Sequence, residues 1–267
     1  MRRKQLFKRR CYAFILISAL LTLSISSFCN PSKKDFYQLK IFHLKSDSQI
    51  QRIDEYLKDA YLPALHRAGI KNIGVFKPIA NDTSVVKFVY VLIPFSSVDE
   101  WMKIAGKLDK DDSYKTAAKS FIEADAANPP YSRIESILLE AFSGQPNLVL
   151  PASKNPERVF ELRSYESPTE HLHEKKVAMF NTGGEIPIFN RLGFNPVFYA
   201  RVLSGSHMPN FMYMPIFESV EKKDAQWKIF GNDPQWKDIS TRPENENKVS
   251  VSHIDSVVMH SADYSDY

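Results

Sequence analysis

The chain is poor in cysteine and in glycine, and its body carries no concentration of positive charge. It has two cysteines, Cys11 and Cys29, and nine glycines in 267 residues. Cys11 falls inside an N-terminal segment that reads as cleavable, so the mature chain has no pair to oxidise and must be stable without a disulfide. Metal sites built on thiolates are excluded for the same reason. The glycines form no phosphate-cradling loop, and neither a nucleophile elbow nor a zinc-protease helix is present. The formal charge is +4, yet residues 1–29 hold six cations and no anions, which leaves 29 cations against 31 anions in the remainder. A body so close to neutral argues against nucleic-acid binding, whose footprint is a concentrated basic patch.

The basic run through Arg10 is followed by an apolar stretch from Cys11 to Leu21 and then by a Ser/Thr-rich segment, which is the pattern of a signal peptide over residues 1–29. The stretch is apolar on all sides, whereas a mitochondrial transit peptide would be amphipathic. Export to the periplasm or the exterior is therefore expected, with no stable membrane span after cleavage. The alternatives are an uncleaved anchor over the roughly 18 residues from Cys11 to Phe28, or a lipid anchor on Cys29. Against the lipid anchor, Phe28 stands where a small residue normally precedes a lipidated cysteine.

The strongest signal is self-similarity. The segment Leu62-Pro63-Ala64-Leu65-His66-Arg67-Ala68-Gly69-Ile70 recurs as Ile186-Pro187-Ile188-Phe189-Asn190-Arg191-Leu192-Gly193-Phe194, with Pro, Arg and Gly in register. Nearly the same offset aligns Tyr37-Gln38-Leu39 with Phe160-Glu161-Leu162, Phe88-Val89-Tyr90 with Phe211-Met212-Tyr213, and Ser132–Leu139 with Ser252–Met259. Two copies of so long a period are a duplicated domain, not a solenoid.

Within a copy, a strand at Phe36 to His43 precedes apolar residues at helical spacing, Ile50, Ile53, Leu57, Tyr61, Ala64 and Ala68. Ser46, Asp47 and Ser48 offer N-cap oxygens, and Gly69 can end the helix. In the second copy, Ser167-Pro168-Thr169-Glu170 suggests a capping box with Pro at the first helical position, and Gly183-Gly184 breaks the helix in two. Two β-rich runs, a second helix (Val98 to Ala126; Val220 to Ser240) and a closing strand complete each copy. The order βαββαβ is the ferredoxin-like unit. Its open sheet face is too apolar to stay wet, so the fold class expected is α+β: two tandem ferredoxin-like units packed sheet to sheet as an intramolecular dimeric α/β barrel. The first unit is placed at residues 30–145, a Pro-rich linker at 146–157 and the second unit at 158–267. Nothing in this arrangement requires self-association.

Phe160-Glu161-Leu162-Arg163-Ser164-Tyr165 and Asp233-Pro234-Gln235-Trp236 resemble the opening strand and second-helix signature of the NIPSNAP family, over roughly Glu157 to His260. The resemblance implies a dimeric α/β barrel and supplies no agreed catalytic residues. The first copy diverges, with Tyr37-Gln38-Leu39-Lys40 and Asp112-Ser113-Tyr114 at the matching places.

Strand alternation puts Glu161, Arg163 and Tyr165 on one face, expected to look into the barrel, with Tyr199, Arg201 and Tyr213 joining them from later strands. These six are the candidate ligand-binding residues. Such a group could hold an anionic or phenolic small molecule, or satisfy itself as a buried polar network. His171 and His173, two apart on a helix, point away from each other, which disfavours a shared metal ion; both are expected to be solvent-exposed in the first turn. Trp227 and Trp236 read as core anchors. No cofactor, metal ligand or catalytic residue is assigned. The functional reading is a small-molecule-binding or interaction protein; the alternative is a cofactor-free oxygenase or haem-handling enzyme, by analogy of fold alone.

Overall fold

A computed structural model describes residues 33–267 apart from Lys154 and Glu244; the N-terminal segment, with Cys11 and Cys29, lies outside the described residues. The first unit comprises β1 (Phe36–Leu44), α1 (Asp47–Tyr56), a π-helical turn (Leu57–Tyr61), α2 (Leu62–Arg67), β2 (Gly74–Pro78), β3 (Lys87–Phe95), α3 (Val98–Leu108), α4 (Asp112–Ala117), α5 (Lys119–Ile122) and β4 (Arg133–Ala141). The second comprises β5 (Val159–Glu166), α6 (Glu170–Asn181), α7 (Glu185–Arg191), β6 (Tyr199–Ser204), β7 (Asn210–Tyr213), β8 (Ile216–Phe217), α8 (Val220–Asn232), α9 (Pro234–Ser240), α10 (Asn247–Ser250) and β9 (His253–Ser261).

Every strand pair is antiparallel, in the order β7-β6-β4-β1-β3-β2-β9-β5, and β5 returns to β7 to close a ring of eight, with β8 continuing the line of β7. The two units do more than cover each other's faces. Edge strand β2 pairs with β9 (Phe76↔Ser261) and edge strand β4 pairs with β6 (Ala141↔Ala200), so closure removes the open edges of both sheets.

The barrel lumen is apolar, filled by Leu39, Phe76, Leu92, Leu139, Phe160, Met212 and their neighbours. This corrects the expected orientation of β5. Phe160 and Leu162 point into the lumen, while Glu161, Arg163 and Tyr165 face outward beneath the helices of the second unit. The physical reason is room: an eight-stranded barrel is just wide enough for side chains to fill, and buried charge needs donors that the helix layer supplies and the lumen does not.

Local signals hold with adjustments. Ser46 accepts from Gln49 N at 3.3 Å and caps α1. In the second unit the cap is Thr169, which accepts from Leu172 N at 3.3 Å, two residues later than the Ser167 box suggests. The Ser167 amide instead donates to Pro209 O, which keeps the chain extended there. Gly69 and Gly193 end their helices with φ of 95° and 78°, and Gly184, at 101°, separates α6 from α7. Both second helices are broken: Asp233, bonded through its carboxylate to Gln235 N and Trp236 N, starts α9 as a new segment, so Trp227 and Trp236 stand on different helices. No helix among the described residues is long and apolar enough to cross a membrane.

Candidate functional site

In the second unit the carboxylate of Glu161, only 2% exposed, accepts three hydrogen bonds. Arg163 Nη1 and Ser256 Oγ donate to Oε1, each at 2.6 Å, and Trp227 Nε1 donates to Oε2 at 2.6 Å. Arg163 Nη2 donates to the Tyr165 hydroxyl at 3.0 Å, and Tyr213 OH donates to the same oxygen at 3.3 Å. The guanidinium sits 4.7 Å from the centre of the Trp227 ring, a cation–π contact. Tyr199 stacks on Tyr213 at 5.6 Å. Five of the six candidate residues are thus brought together. Arg201 leaves the group, pairing with Glu174 on α6 at 2.9 Å.

Two ionisable residues complete this layer. Glu185 of α7 is 4% exposed, and its Oε2 makes no hydrogen bond among the described residues. Burial pushes its carboxyl up to about 7, against the pull of Lys176 and Arg163. Burial also lowers the ammonium pKa of Lys176, whose Nζ donates to Met179 Sδ at 3.3 Å. His173 departs from its expected exposure: it is buried beside Phe211 because α6 turns that face to the sheet, and burial followed by Arg201 lowers its pKa.

The first unit builds the same frame with different chemistry. Gln38 and Lys40 take the places of Glu161 and Arg163. Gln38 Nε2 donates to Ser136 Oγ at 2.7 Å, the counterpart of the Ser256 bond, and Lys40 Nζ donates to Tyr61 OH at 3.1 Å. Ser97 and Ser219 cap α3 and α8 alike, at 3.1 and 3.3 Å. Eight residues beyond each cap, α8 carries Trp227 and α3 carries Ala105. Where the indole fills the second unit, the first keeps a cleft of about 550 Å³ lined by Gln38, Lys40, Tyr56, Tyr61, Trp101, Ala105, Tyr114 and neighbours.

The cleft wall is ordered by aromatic contacts. Tyr56 stacks on Phe121 at 3.8 Å and on Tyr61 at 5.5 Å, and its hydroxyl meets that of Tyr114 at 2.9 Å. The π-helical turn Leu57–Tyr61 adds a residue's rotation between Tyr56 and α2 and ends on Tyr61, the cleft residue bonded to Lys40. Such turns recur at functional sites. A larger groove of about 780 Å³ runs past Asp54, Lys77 and Tyr264, but Asp54 is already held by both, each at 2.6 Å, and the groove is walled mainly by charged side chains.

Sequence reasoning chose the second-unit set and missed the first-unit one. The signal was present in the repeat, which sets Gln38 against Glu161. What the alignment of strands does not reveal is that Trp227 plugs one copy and Ala105 leaves the other open.

Comparison with known proteins agrees with this architecture. The family model of NIPSNAP matches residues 160–266. No curated protein matches the chain in sequence. Among solved structures, a candidate monooxygenase from Fusobacterium nucleatum superposes with a TM-score of 0.56 at 9% identity, covering 86% of this chain and 93% of that one. A candidate monooxygenase from Lactobacillus acidophilus gives 0.56 at 10% identity, covering 85% and 94%. An anthrone oxidase-like protein gives 0.53 at 10%, covering 87% and 93%. At such identities these similarities establish a shared fold and nothing about chemistry. It is therefore the second half of the barrel, residues 160–266, that is similar to the NIPSNAP family.

Proposed function

We propose that this protein binds a small, planar, anionic or phenolic organic molecule in the cleft of its first unit. One observation carries the reading: the space that Trp227 occupies in the second unit is open in the first, beside Ala105, and is walled by tyrosines with the Lys40 ammonium at its floor. Aromatic walls supply apolar contact, and a half-buried cation with phenolic hydroxyls supplies orientation, the usual division of labour in a ligand pocket. The Glu161–Arg163–Tyr165 group acts as the closed counterpart that fixes helix to sheet.

The test is fluorescence titration with anilinonaphthalene sulfonate, an anionic aromatic probe, on the wild-type chain and on Ala105→Trp and Lys40→Met. Saturable binding lost in Ala105→Trp and weakened in Lys40→Met is expected. Equal binding by all three would overturn the reading.

A second reading, a cofactor-free oxygenase, draws support from the names of the structural neighbours and from the Lys40–Tyr61 hydrogen bond, which could orient a phenolic substrate. Oxygen uptake with a panel of phenols and anthrones would distinguish it from simple binding. The haem alternative draws no support from the cleft, among whose lining residues none is histidine.

We further propose export, supported by the cationic and apolar character of residues 1–29, with a lipid anchor on Cys29 as the alternative. Intact mass of the mature chain recovered from cell fractions distinguishes cleavage, lipidation and retention.

A further inference from the structure

All strand pairs being antiparallel, β1 and β5 run the same way round the ring, so their C-terminal ends share one mouth of the barrel. Three histidine–carboxylate contacts gather at that mouth. His43 Nε2 lies 2.6 Å from Glu135 Oε1, His207 Nδ1 lies 3.1 Å from Glu166 Oε1, and His253 Nε2 lies 3.0 Å from Asp255 Oδ1. Among the described residues none of these carboxylates pairs with a lysine or arginine.

The second-unit half of this rim is the more concentrated. Glu166 and His253 stand directly opposite each other on paired strands, and Asp255 is one pair further along the same face, opposite Ser164. Their side chains each bring one ligand atom into a group in which all atoms lie within 4.8 Å of one another. His207 reaches Glu166 from the β6–β7 loop, where the neighbouring Ser206 Oγ donates to Glu135 Oε2 at 3.4 Å.

We propose that Glu166, His253 and Asp255 form a three-ligand binding site for a divalent metal ion of the zinc type, with His207 in contact with Glu166 outside the set. The donor set is one imidazole and two carboxylates, a mixed nitrogen and oxygen set that suits zinc and its neighbours more than the all-oxygen cages of calcium and magnesium. Its two carboxylates carry two negative charges, matched to a dication. Two ligand atoms on one tetrahedral zinc stand about 3.3 Å apart; His253 and Asp255 stand at 3.0 Å, and the three donor atoms lie within 4.8 Å of one another. All three ligands come from two hydrogen-bonded strands, so the frame is rigid before an ion arrives.

The repeat explains why the site is confined to one half of the rim. In the first unit His43 stands in place of Glu166 and Glu135 in place of Asp255, but Arg133 stands in place of His253. A fixed cation thus replaces a ligand, and the corresponding position cannot assemble the same set.

The experiment is isothermal titration of the tag-free full chain, stripped with chelator, using zinc chloride, with cobalt(II) absorption as a second measure of coordination geometry. One equivalent of zinc per chain is expected, with a visible cobalt spectrum of the four- or five-coordinate kind. His253→Ala and Asp255→Asn are each expected to weaken binding at least about tenfold, whereas His43→Ala, on the same rim outside the set, leaves it unchanged. Both substituted residues are solvent-exposed, and circular dichroism checks that the variants fold. Absence of saturable one-to-one binding overturns the proposal, as does zinc affinity that persists in the His253→Ala, Asp255→Asn double variant. The result is independent of the first-unit cleft.

Discussion

Trp227 donates its indole N–H to Glu161 Oε2 at 2.6 Å, tying helix α8 to strand β5 and sealing the helix–sheet layer of the second unit. Ala105, its structural counterpart on α3, has no such reach, and the layer there stays open. One position in a duplicated framework thus separates a filled unit from a hollow one.

Replacing Trp227 with Phe retains most of the apolar volume and removes the donor. One oxygen of a buried carboxylate is then unsatisfied, so a loss of about 1–3 kcal/mol is expected. Urea denaturation of the variant, with an unchanged slope, measures it.

Glu161 and Arg163 form a buried, hydrogen-bonded ion pair. Removing either partner alone, as Glu161→Gln or Arg163→Met, leaves an uncompensated charge or dipole and is expected to cost about 3–5 kcal/mol. The double variant should lose clearly less than the two single losses together. Additive losses in the double-mutant cycle would contradict the coupling.

Glu185 binds a proton more tightly folded than unfolded, its carboxyl having moved from an ordinary 4.5 to about 7 through burial. Its contribution to stability is fully present below about pH 4.5 and is lost as pH rises to about 7, a fall on the order of 3 kcal/mol if uncompensated. Glu185→Gln should flatten the stability profile across that window and be more stable than wild type above it. Chemical denaturation at pH 4.5, 6 and 7.5 reads the change in slope. Lys176, with its pKa lowered by burial, acts with the opposite sign, stability rising as pH approaches the ordinary lysine range.

Gly74 opens β2 against the rings of Phe76 and Tyr267, and a Cβ at this position would overlap both. Gly74→Ala is expected to cost about 1–3 kcal/mol by overpacking the barrel end. A thermal melt is sufficient to detect it. Truncating Tyr267 to Ala in the same chain should recover part of the loss.

The amino-acid sequence alone determined the architecture, because the signals that encode it are local or repeat at a fixed offset. Strand alternation, helical spacing, the terminal glycines at 69 and 193 and the in-register Pro, Arg and Gly of both copies are readable without knowing where any chain segment lies in space. It also singled out Glu161, Arg163, Tyr165, Tyr199 and Tyr213, which do converge. Which way they point was decided only in three dimensions, since alternation defines two faces and leaves open which of them lines the lumen. Closure of the ring settles that by giving the narrow interior to Phe160 and Leu162 and the helix side to the charges. The first-unit cleft and the histidine–carboxylate rim also depend on residues far apart in the chain, such as Lys40 with Ala105, 65 positions on, and Glu166 with His253, 87 positions on. No local spacing connects them, so only the folded barrel brings their chemistry together.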